Sequence, residues 1–84
     1  MPRTKLPEPR PKLPEPRGIE SRIRTMLQIR NLTVAKAAER CQLPVPTFET
    51  YLYGKNLPGA AGLLLLSRGL GCSADWLLGR GEAA

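Results

Sequence analysis

Hydrophobic residues recur at helical spacing through most of this chain, and the breaks in the pattern fall on residues that start or stop helices. Ile19, Ile23, Met26 and Leu27 lie three or four apart with Arg30 continuing the register, which predicts a helix over about 19–30 with Arg22 and Arg24 turned outward. Asn31, which tolerates left-handed backbone, suits its end. Leu32 then precedes Thr33, a good N-cap, so a second helix starts at Val34 with Ala37, Ala38 and Cys41 on its inward face. Gln42, Leu43 and Pro44 make a tight turn. Pro44 and Pro46 flank Val45, and proline is tolerated only in the first turn of a helix. That places a third helix from about Val45 to Tyr53, with Phe48, Tyr51 and Leu52 inward and Gly54 as its stop.

A loop through Lys55, Asn56 and Leu57 ends in Pro58-Gly59, and a fourth helix follows over about Ala60 to Arg68. It contains four consecutive leucines, Leu63 to Leu66, which point all round the helix and predict burial on most sides, in the core or in core plus subunit interface. Gly69 and Gly71 end it around Leu70. Ser73 caps a short fifth helix with Asp75 near its positive end and Trp76, Leu77 and Leu78 packing back. Gly79 closes a domain spanning 18–79, and 80–84 are expected to fray. The fold class is all-α, with five helices.

The segment before Gly18 is of another kind. It holds six of the nine prolines, in a seven-residue repeat that reads PRTKLPE, PRPKLPE, PR. Proline at this density blocks helix and sheet and favours extended polyproline II, and a proline in every unit rules out a coiled coil despite the period. Residues 1–17 are therefore expected to be a disordered, semi-rigid, basic arm. Three roles suit it: a plain linker, a proline-rich docking motif, or an arm whose Arg3, Lys5, Arg10, Lys12 and Arg17 meet phosphates or a minor groove.

Charge points to a partner class. The net charge is +6 and the pI about 10.0, which fits a polyanion such as nucleic acid. Residues 1–17 carry five Lys or Arg against two Glu, residues 18–40 again five against two, and the rest three against three, so the positive potential lies on the arm and the first two helices. Two cysteines and no histidine exclude a zinc module, which needs four ligands. Cys41 and Cys72 both occupy apolar positions and read as buried reduced thiols. An enzyme is excluded by the lack of histidine, of paired carboxylates and of an activated cysteine, and no cofactor or small-molecule ligand is expected. No signal-type apolar segment starts the chain and LLLL is too short to span a bilayer, so a cytoplasmic protein without membrane contact is expected.

Helices two and three, held at a fixed angle by a tight turn, form an arrangement that can push the second of the pair into the DNA major groove. From Ile19 to Gly79 the chain resembles the Cro/C1-type helix-turn-helix family, the phage-repressor-like XRE regulators of bacteria and their viruses. The likeness rests on RIR at 22–24, Ala38 in a capped second helix, Leu43 after the turn, Phe48 and Tyr51 in the third, YGKNLPG at 53–59, and LGCSADWLLG at 70–79. It implies a compact five-helix, lambda-repressor-like domain that binds double-stranded DNA by sequence as a small phage-type or prophage-type repressor. It further implies a homodimer on a two-fold operator, nucleoid-associated in the bacterial cytoplasm.

Carried over by position, the resemblance places Pro44, Val45, Thr47, Glu49 and Thr50 against bases, and Thr33, Lys36, Tyr53, Lys55 and Asn56 against phosphates. The chain departs from the pattern at Val34, where the family often has a bracing Gln, and at Gln42, where Gly is common because the turn is left-handed. The reading face also lacks Arg, Gln and Asn, the usual bidentate readers. Val45 can touch a thymine methyl, Glu49 can accept from cytosine N4, and the two threonines can donate, so readout leans on shape and methyl contacts. A protein-interaction adaptor, or an antitoxin that keeps the fold with weak DNA reading, is the alternative.

Overall fold

The breaks in the apolar pattern fall where the helices end. The computed structural model describes residues 17–80, in which five helices follow one another: α1 Ile19–Arg30, α2 Val34–Arg40, α3 Val45–Leu52, α4 Ala60–Leu70 and α5 Ala74–Leu77. Strands are absent among the described residues. Helix α1 is central, packing on α3, α4 and α5, while α2 bridges α3 and α4 and α4 meets α5. One core gathers Ile19, Ile23 and Met26 of α1, Ala37 and Ala38 of α2 with Cys41 capping its end, Phe48 and Leu52 of α3, Leu66 and Leu70 of α4, and Cys72 and Leu77 beyond them. Tyr51, Leu43, Trp76 and Leu78 pack half-buried at its edge.

The helix starts follow the expected caps. Thr33 Oγ1 accepts from the Lys36 amide at 3.1 Å, and Ser73 Oγ accepts from the Trp76 amide at 3.0 Å. The five ends share one device. Asn31, Gln42, Gly54, Gly71 and Gly79 all have positive φ, between 57° and 88°. In each case the amide of the next residue reaches back five positions: Leu32 to Leu27, Leu43 to Ala38, Lys55 to Thr50, Cys72 to Ser67, and Arg80 to Asp75, at 2.7–3.1 Å. This closure satisfies carbonyls that the helix leaves free. Gln42 is the costly member, since neither glycine nor asparagine relieves its left-handed backbone.

Three expectations from the sequence need correction. Helix α4 does not end at Arg68. It runs through Gly69 to Leu70, and the left-handed stop is Gly71. Gly69 is a buried contact residue where α4 crosses α2, small because Cys41 lies against it. The four leucines are not buried on most sides: Leu66 is fully buried and Leu63 and Leu65 half so, but Leu64 is 52% exposed. Arg22 does not turn outward. Its Nη1 donates to the carbonyls of Arg17 at 2.6 Å and Leu77 at 3.4 Å, holding α1 to the end of α5. Arg24 is exposed as expected.

Most of the arm, with Arg3, Lys5, Arg10 and Lys12, lies outside the described residues, as do 81–84; Arg17 is exposed. Arg80 is bonded through its amide to Asp75 at 2.7 Å. No helix among the described residues is long and apolar enough to cross a membrane.

Candidate nucleic-acid interface

The tight turn between α2 and α3 sets the geometry of the site. Leu43 tucks half-buried against the core and Gln42 supplies the reversal, so α3 leaves α2 at a fixed angle with Phe48 and Leu52 locked inside. Pro44 stands in the N-cap position with extended backbone, and Pro46 occupies the first turn, where its missing amide leaves no bond unmade. One face of α3 is thereby fixed inward and the opposite one is left free.

That free face has a definite order. Pro46, Thr50 and Tyr53 stand at i, i+4 and i+7 and form its outer line, with Tyr53 53% exposed at the helix end. Val45 and Glu49, also four apart, form a stripe along one flank, Val45 38% exposed and Glu49 half-buried. Thr47 lies on the other flank. There an open depression of about 470 Å³ runs between α3 and the following loop, lined by Pro46, Thr47, Thr50, Tyr51, Asn56 and Leu57. The Thr50 hydroxyl donates to the Thr47 carbonyl at 2.7 Å, so its proton is already engaged. The sequence reading omitted Pro46, although its spacing from Thr50 and Tyr53 was available as a signal.

The loop after α3 is anchored to the helix it leaves. The amides of Lys55 and Asn56 both donate to the Thr50 carbonyl, at 2.8 and 3.3 Å, which places their exposed side chains beside the end of the free face. Thr33 and Lys36 are exposed at the start of α2. The Thr33 oxygen accepts its capping bond but keeps its own proton to donate. Lys36 Nζ lies 3.5 Å from Glu39, four-fifths of a turn away, and a pair this exposed binds weakly enough to release the lysine.

The cations divide into two sets. Arg22 and Arg30 are committed to the fold: Arg30 Nε donates to the Leu70 carbonyl at 3.1 Å and Nη2 to that of Gly71 at 2.7 Å, at the negative end of α4. Arg17, Arg24, Lys36, Arg40, Lys55, Arg68 and Arg80 are exposed. Arg22 and Arg30 keep their charge, but their donors are engaged, so fewer cations are free to meet a phosphate directly than the charge count suggests.

The two thiols are free, buried and chemically quiet. Burial raises the Cys41 pKa from 9.0 to about 11, against a lowering by Arg40 and a further rise from nearby Cys72. Burial also raises that of Cys72, with Arg30 opposing. Both are thus protonated thiols near neutral pH, unsuited to attack or to metal binding. No group of three His, Cys, Asp or Glu side chains able to hold a metal occurs among the described residues. No family model, curated protein or solved structure matches the chain.

Proposed function

We propose that this chain binds double-stranded DNA by sequence, as a small lambda-repressor-like repressor of the Cro/C1-type, with α3 in the major groove. The observation that carries the reading is the α2–turn–α3 unit: the core holds one face of α3, and the other is free along its length and flanked by Lys55 and Asn56 tied to Thr50. A helix presented this way, with cations at its end, fits groove contact by the helix and phosphate contact by its neighbours. Val45, Thr47, Glu49 and Thr50 then face bases, with Pro46 added. Thr33, Lys36, Tyr53, Lys55 and Asn56 face phosphates. The arm cations extend the backbone contact, and a homodimer in the bacterial cytoplasm is the working form.

One observation favours a second reading. Glu49 puts a carboxylate on one flank of the helix that would meet DNA, and the depression on the opposite flank, beside Thr47, is of a kind that could take a protein partner, which suits an adaptor or antitoxin. Titration against DNA flanking the gene and against random DNA, at two salt concentrations, separates the two. Binding at the flanking DNA no tighter than at random DNA would end the repressor reading.

A further inference from the structure

Two features of α3 work against ordinary base reading and point to a narrower target. The Thr50 hydroxyl is engaged with the Thr47 carbonyl, and no Arg, Lys, Asn or Gln stands on the free face, so the donors left to bases are the single hydroxyls of Thr47 and Tyr53, neither a bidentate reader. What the helix offers besides these is apolar surface and one carboxylate acceptor. These lie together: Val45 and Glu49 share a stripe at i, i+4, where Cβ atoms stand about 5–6 Å apart. Val45 is 38% exposed, and the Glu49 carboxylate has no hydrogen-bond or ion-pair partner among the described residues.

We propose, resting on the DNA-binding reading above, that the Val45–Glu49 stripe recognises 5-methylcytosine in duplex DNA. In the major groove cytosine presents its N4 amine as a donor, and a methyl on the neighbouring C5 projects into the same groove. A carboxylate beside an isopropyl group complements that pair of features at once. Thymine carries the methyl but puts the O4 acceptor where the amine would be, and a carboxylate repels it. Unmodified cytosine supplies the amine and leaves Val45 against water. Of the pyrimidines, the methylated cytosine alone matches both halves of the stripe. The cost of bringing Glu49 near the phosphates is offset by Lys55 at the end of the same helix and by the arm.

The test uses the full chain and one random-sequence duplex library made twice, with cytosine and with 5-methylcytosine. The expected result is about fourfold tighter binding to the methylated library's selected sequences than to the same sequences unmethylated, the worth of one buried methyl group. Selection should enrich cytosine at one position per half-site. Val45→Ala should erase the methylation difference, and Glu49→Ala should erase the cytosine preference at that position. Circular dichroism on both variants confirms the fold, and each side chain lies off the buried face of α3. Equal or weaker binding to methylated DNA, or a methylation effect that survives Val45→Ala, overturns the inference and leaves DNA binding standing. Failure to bind either library overturns both.

Discussion

Gly69 of α4 lies so close to Cys41, the cap at the end of α2, that a Cβ built on it would stand 2.5 Å from Cys41 Sγ and 2.6 Å from Cys41 Cα. The sulfur could rotate, but the backbone atom cannot move without shifting α2. Because α2 carries the turn into α3, this crossing also sets where α3 stands. Gly69→Ala is expected to destabilise the protein by about 3 kcal/mol, at the upper end of the overpacking range. Gly62→Ala is the control, since its nearest neighbours are the Tyr51 hydroxyl at 3.1 Å and Pro58 Cβ at 3.3 Å. There a gain in helix propensity of up to about 1 kcal/mol opposes a mild contact. Urea unfolding followed by circular dichroism measures both, and a neutral Gly69→Ala would refute the α2–α4 contact.

Gln42 holds φ 59° at the end of α2, the position where the four other helices have glycine or asparagine. Its side chain is exposed, so the residue contributes little there except strain. Gln42→Gly should stabilise by roughly 0.5 kcal/mol, the relief of about 1 kcal/mol of left-handed strain less the added entropy of an unfolded glycine. Asn31→Gly should give no comparable gain, because asparagine enters this conformation readily. A melting temperature raised by about 2–4 °C in the first variant alone is the expected result. The turn thus runs at a small energetic cost, which the sequence already signalled by placing Gln where a left-handed residue was required.

The helix bounds were legible because local rules decide them: N-caps at Thr33 and Ser73, stops at Asn31 and Gly54, and a proline pair at 44 and 46 whose geometry admits one register. What could not be read was decided across long sequence separations. Gly69 looked like a stop because nothing nearby reveals that Cys41 will lie on it. Arg22 and Arg30 counted as positive surface, yet both bond carbonyls at the far ends of other helices. Only Arg30's place in the apolar register of α1 hinted at this. On the outer surface of α3 the residue types were legible, and the geometry supplied their order: Pro46 on the outer line, and Val45 beside Glu49.

That division of the arginines is testable. Arg30→Gln removes a charged donor from two carbonyls at the end of α4 and should cost about 1–2 kcal/mol of stability. Its effect on the salt dependence of DNA binding should be negligible. Arg24→Gln touches no such partner and should leave stability within about 0.5 kcal/mol. Thermal unfolding of the two variants, with salt titrations of binding, separates a structural arginine from a surface one.

The buried thiols make a prediction about alkaline pH. Cys41 is protonated more readily in the folded chain than in the unfolded one, where its pKa is near 9.0 against about 11 in the fold. Its contribution is therefore whole below about pH 9 and is lost as the pH rises towards 11, by about 2–3 kcal/mol. Cys72 acts in the same direction. Urea midpoints at pH 8 and pH 10.5 should fall in the native protein and fall less in Cys41→Ala, whatever that variant costs at pH 8. The same burial implies that a thiol reagent at neutral pH modifies neither cysteine until the protein unfolds.

The proposed DNA binding gives Lys55 and Thr47 different parts. Lys55 is held beside the end of α3 by its own amide, and its exposed ammonium can reach a phosphate whatever the base sequence. Thr47 lies on the flank of α3 and lines the depression next to the outer line, where it meets base edges or nothing. Lys55→Ala should therefore weaken binding to all duplexes by a similar factor and reduce the slope of log K against log salt by about 1. Thr47→Ala should leave that slope unchanged and alter the ranking of sequences. Fluorescence anisotropy on a selected site, a single-base variant of it and random DNA, at 50 and 200 mM salt, measures both. Equal losses from the two substitutions on every duplex would show that α3 does not read sequence, and the outer face of this helix would then have to be assigned to a protein partner.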